Sequence, residues 1–153
     1  MKANSMYKTV GVGLAGLALM VGLSACGGGG SVDAVVATPF DISVAVGGHP
    51  VNGVNISPGV TQTVYLPVGQ SIQFDASESV IWTLMVGGSA VTGTGVTVDY
   101  GGVGIRLTTE TDSRISIDTA SDFSLSAPLS FTLVATSTYD NAQVATIQVV
   151  LTN

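Results

Sequence analysis

His49, in Gly48-His49-Pro50, is the only imidazole in the chain, and Cys26 is the only thiol. A nucleophilic triad needs a Ser or Cys activated by a base that a third group orients. No Ser stands in a Gly-x-Ser-x-Gly elbow, so His49 reads as an exposed turn residue rather than a base. A structural zinc site has too few nitrogen and sulfur donors to form. Glu110, Asp112, Asp118, Asp122 and Asp140 are the carboxylates whose loops could gather around Ca²⁺, which takes six to eight oxygens. EF-hand spacing is absent, and Arg114 follows Asp112-Ser113 directly, so solvated loop acids are the expectation. Tyr65, Tyr100 and Tyr139 could stack a sugar, but single tyrosines at strand ends more often pack corners and edges. No catalytic residue, metal or cofactor is therefore expected.

The chemistry that the sequence does specify lies around Cys26. Met1 to Lys8 carries two lysines and no acid, and Thr9 to Leu23 is an uncharged, largely apolar run of 15 residues. That is shorter than the roughly 20 residues needed to span a bilayer, and it has the layout of a secretory leader. Leu23-Ser24-Ala25-Cys26 then resembles the lipobox of bacterial lipoproteins. Small side chains at Ser24 and Ala25 let extended backbone enter a narrow peptidase site, and the Cys26 thiol supplies the sulfur for diacylglycerol. The resemblance implies removal of residues 1–25, lipidation of Cys26, and three acyl chains in a Gram-negative cell. Two or more chains anchor stably where one does not. Gly27 stands where inner-membrane retention signals usually carry Asp, which implies sorting to the outer membrane, facing the periplasm or the cell surface.

Residues 26–39 form the expected tether. Gly27 to Gly30 offers nothing to bury and much backbone entropy to lose. At about 5–6 Å × √n, the stretch from Cys26 to Phe40 reaches roughly 20 Å.

Beyond the leader, two arginines face ten acids, a net charge of −8. No basic stripe exists to neutralise phosphates, which excludes nucleic acid as a partner. A basic patch for anionic lipid is missing too, so membrane contact must come through Cys26. No Lys remains after residue 25. Lys–Asn isopeptide cross-links are thus impossible.

From Asp41 onward the apolar period is two. Ile42, Val44 and Val46 alternate with polar or small residues, as do Ile72 and Phe74, Ile115 and Ile117, and Ala145, Ile147, Val149 and Leu151. Ser79 to Val86 is apolar on both faces, which predicts a central strand. Gly47-Gly48, Ser57-Pro58-Gly59, Pro67-Val68-Gly69, Gly87-Gly88, Gly101-Gly102, Ala127-Pro128 and Asp140-Asn141 punctuate the runs as turns. The expectation is an all-β fold: a single antiparallel β-sandwich of about 7–9 strands over residues 40–153.

Val68 to Phe74, followed by Val80-Ile81-Trp82, resembles the second and third strands of bacterial immunoglobulin-like (Ig-like) domains, with Trp82 as the core tryptophan. Pro128 to Ala135 resembles the penultimate strand, and Ala142 to Leu151 the last. The chain departs from that pattern in having no disulfide pair and in carrying Phe131 where a corner tyrosine often sits. The resemblance implies a non-enzymatic, lipid-anchored module of the outer membrane, structural or protein-binding, with an envelope protein as partner. The alternative is an adhesion module that takes carbohydrate or Ca²⁺ through the acidic loops and tyrosines.

Overall fold

A strand sends successive side chains to opposite faces, so the period-two pattern should appear as sheets with one buried face each. The computed structural model describes residues 38–91, 93–120 and 124–153, which form strands and no helix. In chain order these are β1 (Ile42–Val46), β2 (His49–Ile56), β3 (Thr61–Pro67), β4 (Ser71–Ala76), β5 (Val80–Val86) and β6 (Ser89–Val91). They continue as β7 (Val96–Tyr100), β8 (Val103–Thr109), β9 (Arg114–Thr119), β10 (Leu129–Ser137) and β11 (Val144–Thr152). A six-stranded sheet runs β2-β1-β4-β9-β8-β7, and a five-stranded sheet runs β3-β11-β10-β5-β6.

Both sheets feed one core. Ile42, Ile72, Phe74, Ile105, Ile115 and Ile117 come from the first sheet; Leu66, Leu84, Leu133, Ile147, Val149 and Leu151 come from the second. Each large side chain taken out of water contributes about 1.5–3 kcal/mol, set against the conformational entropy of ordering the chain. Phe74 and Trp82 meet across the two sheets with ring centroids 6.4 Å apart and planes tilted by 42°. The architecture is all-β, two-layered and sandwich-like. Phe40, ahead of β1, is buried in the same core.

Gly-Gly pairs turn three of the hairpins. Val46 faces His49, Val86 faces Ser89 and Tyr100 faces Val103, leaving two-residue loops. Both glycines of each loop have positive φ, as type I′ hairpins demand. At Gly101 the need is double, because φ is +62° and a Cβ would come within 2.6 Å of Leu129.

Four expectations need correction. Eleven strands replace the expected 7–9. The additional ones are β2, whose Pro50 and Gly53 hide it from a propensity reading, the three-residue β6, and β7. They sit at sheet edges, where pairing to one neighbour is enough to extend the chain. The sandwich is not wholly antiparallel: β3 runs parallel to β11, with Val64 opposite Val149 and Leu66 opposite Leu151. β5 is not buried on both faces, since Ile81 on its outer side is 60% exposed and the neighbouring β6 ends the sheet. Finally, Trp82 is half-buried against the core rather than enclosed by it.

Candidate functional site

Strand registers place most of the described acids at one end of the two sheets. β1 begins at this end, where Ile42 lies opposite both Ile56 and Ala76. β9 also starts here, and β8 ends here, with Thr109 opposite Ile115. On the second sheet, Ser137 lies opposite Val80, and Thr136 lies opposite Val144. Asp41, Asp75, Glu78, Glu110, Asp112 and Asp140 therefore share one end, while Asp99 and Asp118 lie towards the other.

The chain arrives at this acidic end. Phe40 N–H donates to Gln143 Oε1 at 3.3 Å, and Asp41 N–H donates to Ser77 Oγ at 3.0 Å. Ser57 Oγ in turn donates to Asp41 Oδ1 at 2.7 Å. Beside them Ser137, only 2% exposed, donates to the Glu78 carboxylate and accepts from the N–H groups of Tyr139 and Asp140. These bonds close the β10–β11 loop over the core. Asp41, Glu78 and Asp140 are thus engaged as turn and loop-closing groups.

Among the described residues, no group of three or more His, Cys, Asp or Glu side chains is placed to hold a metal ion. Asp122 lies outside the described residues, as do Leu23, Ser24, Ala25 and Cys26. His49 is the exposed first residue of β2, next to its turn rather than in it. The three tyrosines do not converge. Tyr65 lies opposite Val150 on β3, Tyr100 ends β7, and Tyr139 is 79% exposed in the acidic-end loop. A stacking platform would need at least two of them on one surface.

One ion pair stands out. Arg114 Nε–H donates to both oxygens of Asp75, at 2.8 and 2.9 Å. The guanidinium bond holds the Asp75 carboxyl below its ordinary 3.8 against the opposing effect of partial burial, and a 3.0 Å bond from Gln73 helps. A depressed carboxylate pKa contributes stability that is complete above the unfolded value and lost as pH falls through the folded one. Melting temperature is therefore expected to fall below about pH 3.8 in the wild type. Arg114→Gln should flatten that acid limb, and high salt should shrink the difference because both groups face water. A limb of equal slope in both proteins would contradict this role.

Sequence reasoning missed two features. The indole N–H of Trp82 is buried without a hydrogen-bond partner among the described residues. A half-open cleft of about 160 Å³ lies between Leu125, Pro128 and the end of β11, and Asn153 closes it by bonding both N–H and C=O of Leu125. Ligand pockets usually measure about 300–1,000 Å³, so this one suits little more than solvent.

Comparison with known protein families, curated proteins and solved structures returns no match.

Proposed function

We propose that the protein is a non-enzymatic lipoprotein of the bacterial envelope, anchored in the outer membrane through Cys26. The anchor carries an Ig-like β-sandwich that serves as a structural or protein-binding module. Leu23-Ser24-Ala25-Cys26, behind a positive segment and a 15-residue apolar run, is the observation that carries this reading. The strand order supports the Ig-like part. Taken as A, B, C, D, E, F and G, the strands β1, β4, β5, β8, β9, β10 and β11 give sheets A-B-E-D and C-F-G.

Phe40 is fixed at the acidic end by its bond to Gln143, and Asn153 lies at the other end. The partner meets free strand edges, of which β3 is the least guarded. Ahead of its terminal Pro67 it carries no charge, proline or glycine, whereas β2 has Pro50 and Gly53 within it, β7 has Asp99, and β6 is very short.

Separation of inner and outer membranes on a density gradient tests this proposal. The protein is expected in the outer-membrane fractions and resistant to salt washing. Recovery in the soluble fraction would contradict it. A second reading of the acidic loops is a Ca²⁺-dependent adhesion module, although no three described acids are placed together to hold the cation. A cation present at 100 times its dissociation constant would add about 2.7 kcal/mol of stability. The first reading expects no change in melting temperature on adding calcium at millimolar concentration, and a clear rise would favour the second.

A further inference from the structure

Charge is divided unequally between the two sheets. Every charged residue that lies on a strand belongs to the six-stranded sheet: Asp75, Asp99, Arg106, Arg114 and Asp118. The five strands β3, β11, β10, β5 and β6 contain none. Exposed apolar side chains show the opposite bias. Among the described residues the four large ones are Tyr65 on β3, Ile81 on β5, Val60 immediately before β3, and Tyr139 in the β10–β11 loop, all in the five-stranded sheet or beside it. Across the middle of its outer face runs a ladder of Thr63, Gln148, Thr132 and Met85, each opposite the next.

We infer that this charge-free outer face is a homodimer interface, taken by the same face of a second copy. A chain whose net charge from Cys26 onward is −8 repels its own copies wherever acids are exposed, and like charges across an interface cost several kcal/mol. The five-stranded face, with no charged residue on its strands, can meet itself without that juxtaposition. A partner of strong positive charge would gain nothing here, because there is no acid for it to pair with.

Shape fits the same occupant. Tyr65 and Ile81 stand near diagonally opposite corners, separated by two intervening strands and by the length of β10. A two-fold axis lying in the interface plane exchanges those corners, so that each Tyr65 meets the partner's Ile81 in an isologous contact. Five strands about 4.8 Å apart and about seven residues long, at 3.3 Å each, give a face of roughly 500 Å². Standard interfaces bury about 800 Å² per partner, so the dimer is expected to be weak and reversible. Its geometry does not depend on the lipid anchor proposed above.

Sedimentation velocity of the full chain in detergent, from about 1 to 200 μM, tests the inference in a range suited to a micromolar dissociation constant. The wild type is expected to shift from monomer to dimer as concentration rises. Thr132→Lys places a charge at the centre of the face and should weaken the dimer at least tenfold, as should Tyr65→Ser at its corner. Ser116→Lys, on the outer face of the six-stranded sheet, should leave dimerisation unchanged. Should the lysine variant lose its far-ultraviolet circular dichroism, Tyr65→Ser decides the matter alone. A wild type that stays monomeric throughout would overturn the inference. Equal dimerisation of wild type and face variants would overturn it too, as would equal loss in Ser116→Lys.

Discussion

Replacing Cys26 by Ser is expected to abolish incorporation of labelled palmitate and to make the chain extractable from membranes by alkaline carbonate. The physical reason is the size of the anchor. Each buried methylene adds about 0.8 kcal/mol, and two or more acyl chains bind a bilayer many orders of magnitude more tightly than a single one. Without the thiol no sulfur is present to carry diacylglycerol. The remaining apolar run, Thr9 to Leu23, is too short and too rich in glycine for a stable span of roughly 20 residues. Because Cys26 precedes the first core residue, Phe40, by a Gly-rich stretch, the melting temperature of the β-domain should not change. Retained label, or a protein still resistant to carbonate, would refute the assignment of Cys26.

Phe74→Ala is expected to be the most destabilising single truncation of the fold. Phe74 has no exposed surface, stands in the centre of β4 between β1 and β9, and packs on Trp82 of the opposite sheet. Its removal loses the transfer energy of the ring and leaves a cavity, at a cost of about 3–5 kcal/mol. That is a large share of the 5–15 kcal/mol typical of a whole domain. The melting temperature should fall by about 10–20 °C. One thiol per chain means no internal disulfide can offset the loss. Trp82→Ala should cost less, about 2–3 kcal/mol, because the indole is half-buried and its N–H gains no bond among the described residues. A loss below about 1 kcal/mol for Phe74→Ala in a denaturant titration would mean that the two sheets do not pack through this residue.

The sequence foretold the fold unevenly, for physical reasons. Alternation marked the strands with one buried face, and the Gly-Gly pairs marked hairpins because only glycine takes two successive positive φ values cheaply. β2 escaped notice because an edge strand needs no apolar alternation: five of its eight residues are exposed. The parallel pairing of β3 with β11 depends on residues more than eighty positions apart, and no local pattern encodes it. The uncharged sheet face was hidden for the same reason. Its strands look ordinary one by one, and the absence of charge becomes a surface property only once β3, β11, β10 and β5 lie side by side. The proposed lipobox is the opposite case: it rests on four consecutive residues, Leu23-Ser24-Ala25-Cys26, so it could be proposed from the sequence without any long-range pairing.

The intact mass of the chain isolated from membranes decides whether Cys26 is the lipidated N-terminus. A polypeptide that begins at Cys26 and carries the added mass of a diacylglycerol and one amide-linked acyl group is expected. A mass that retains residues 1–25, or a mature chain with a free Cys26 thiol, would contradict that assignment.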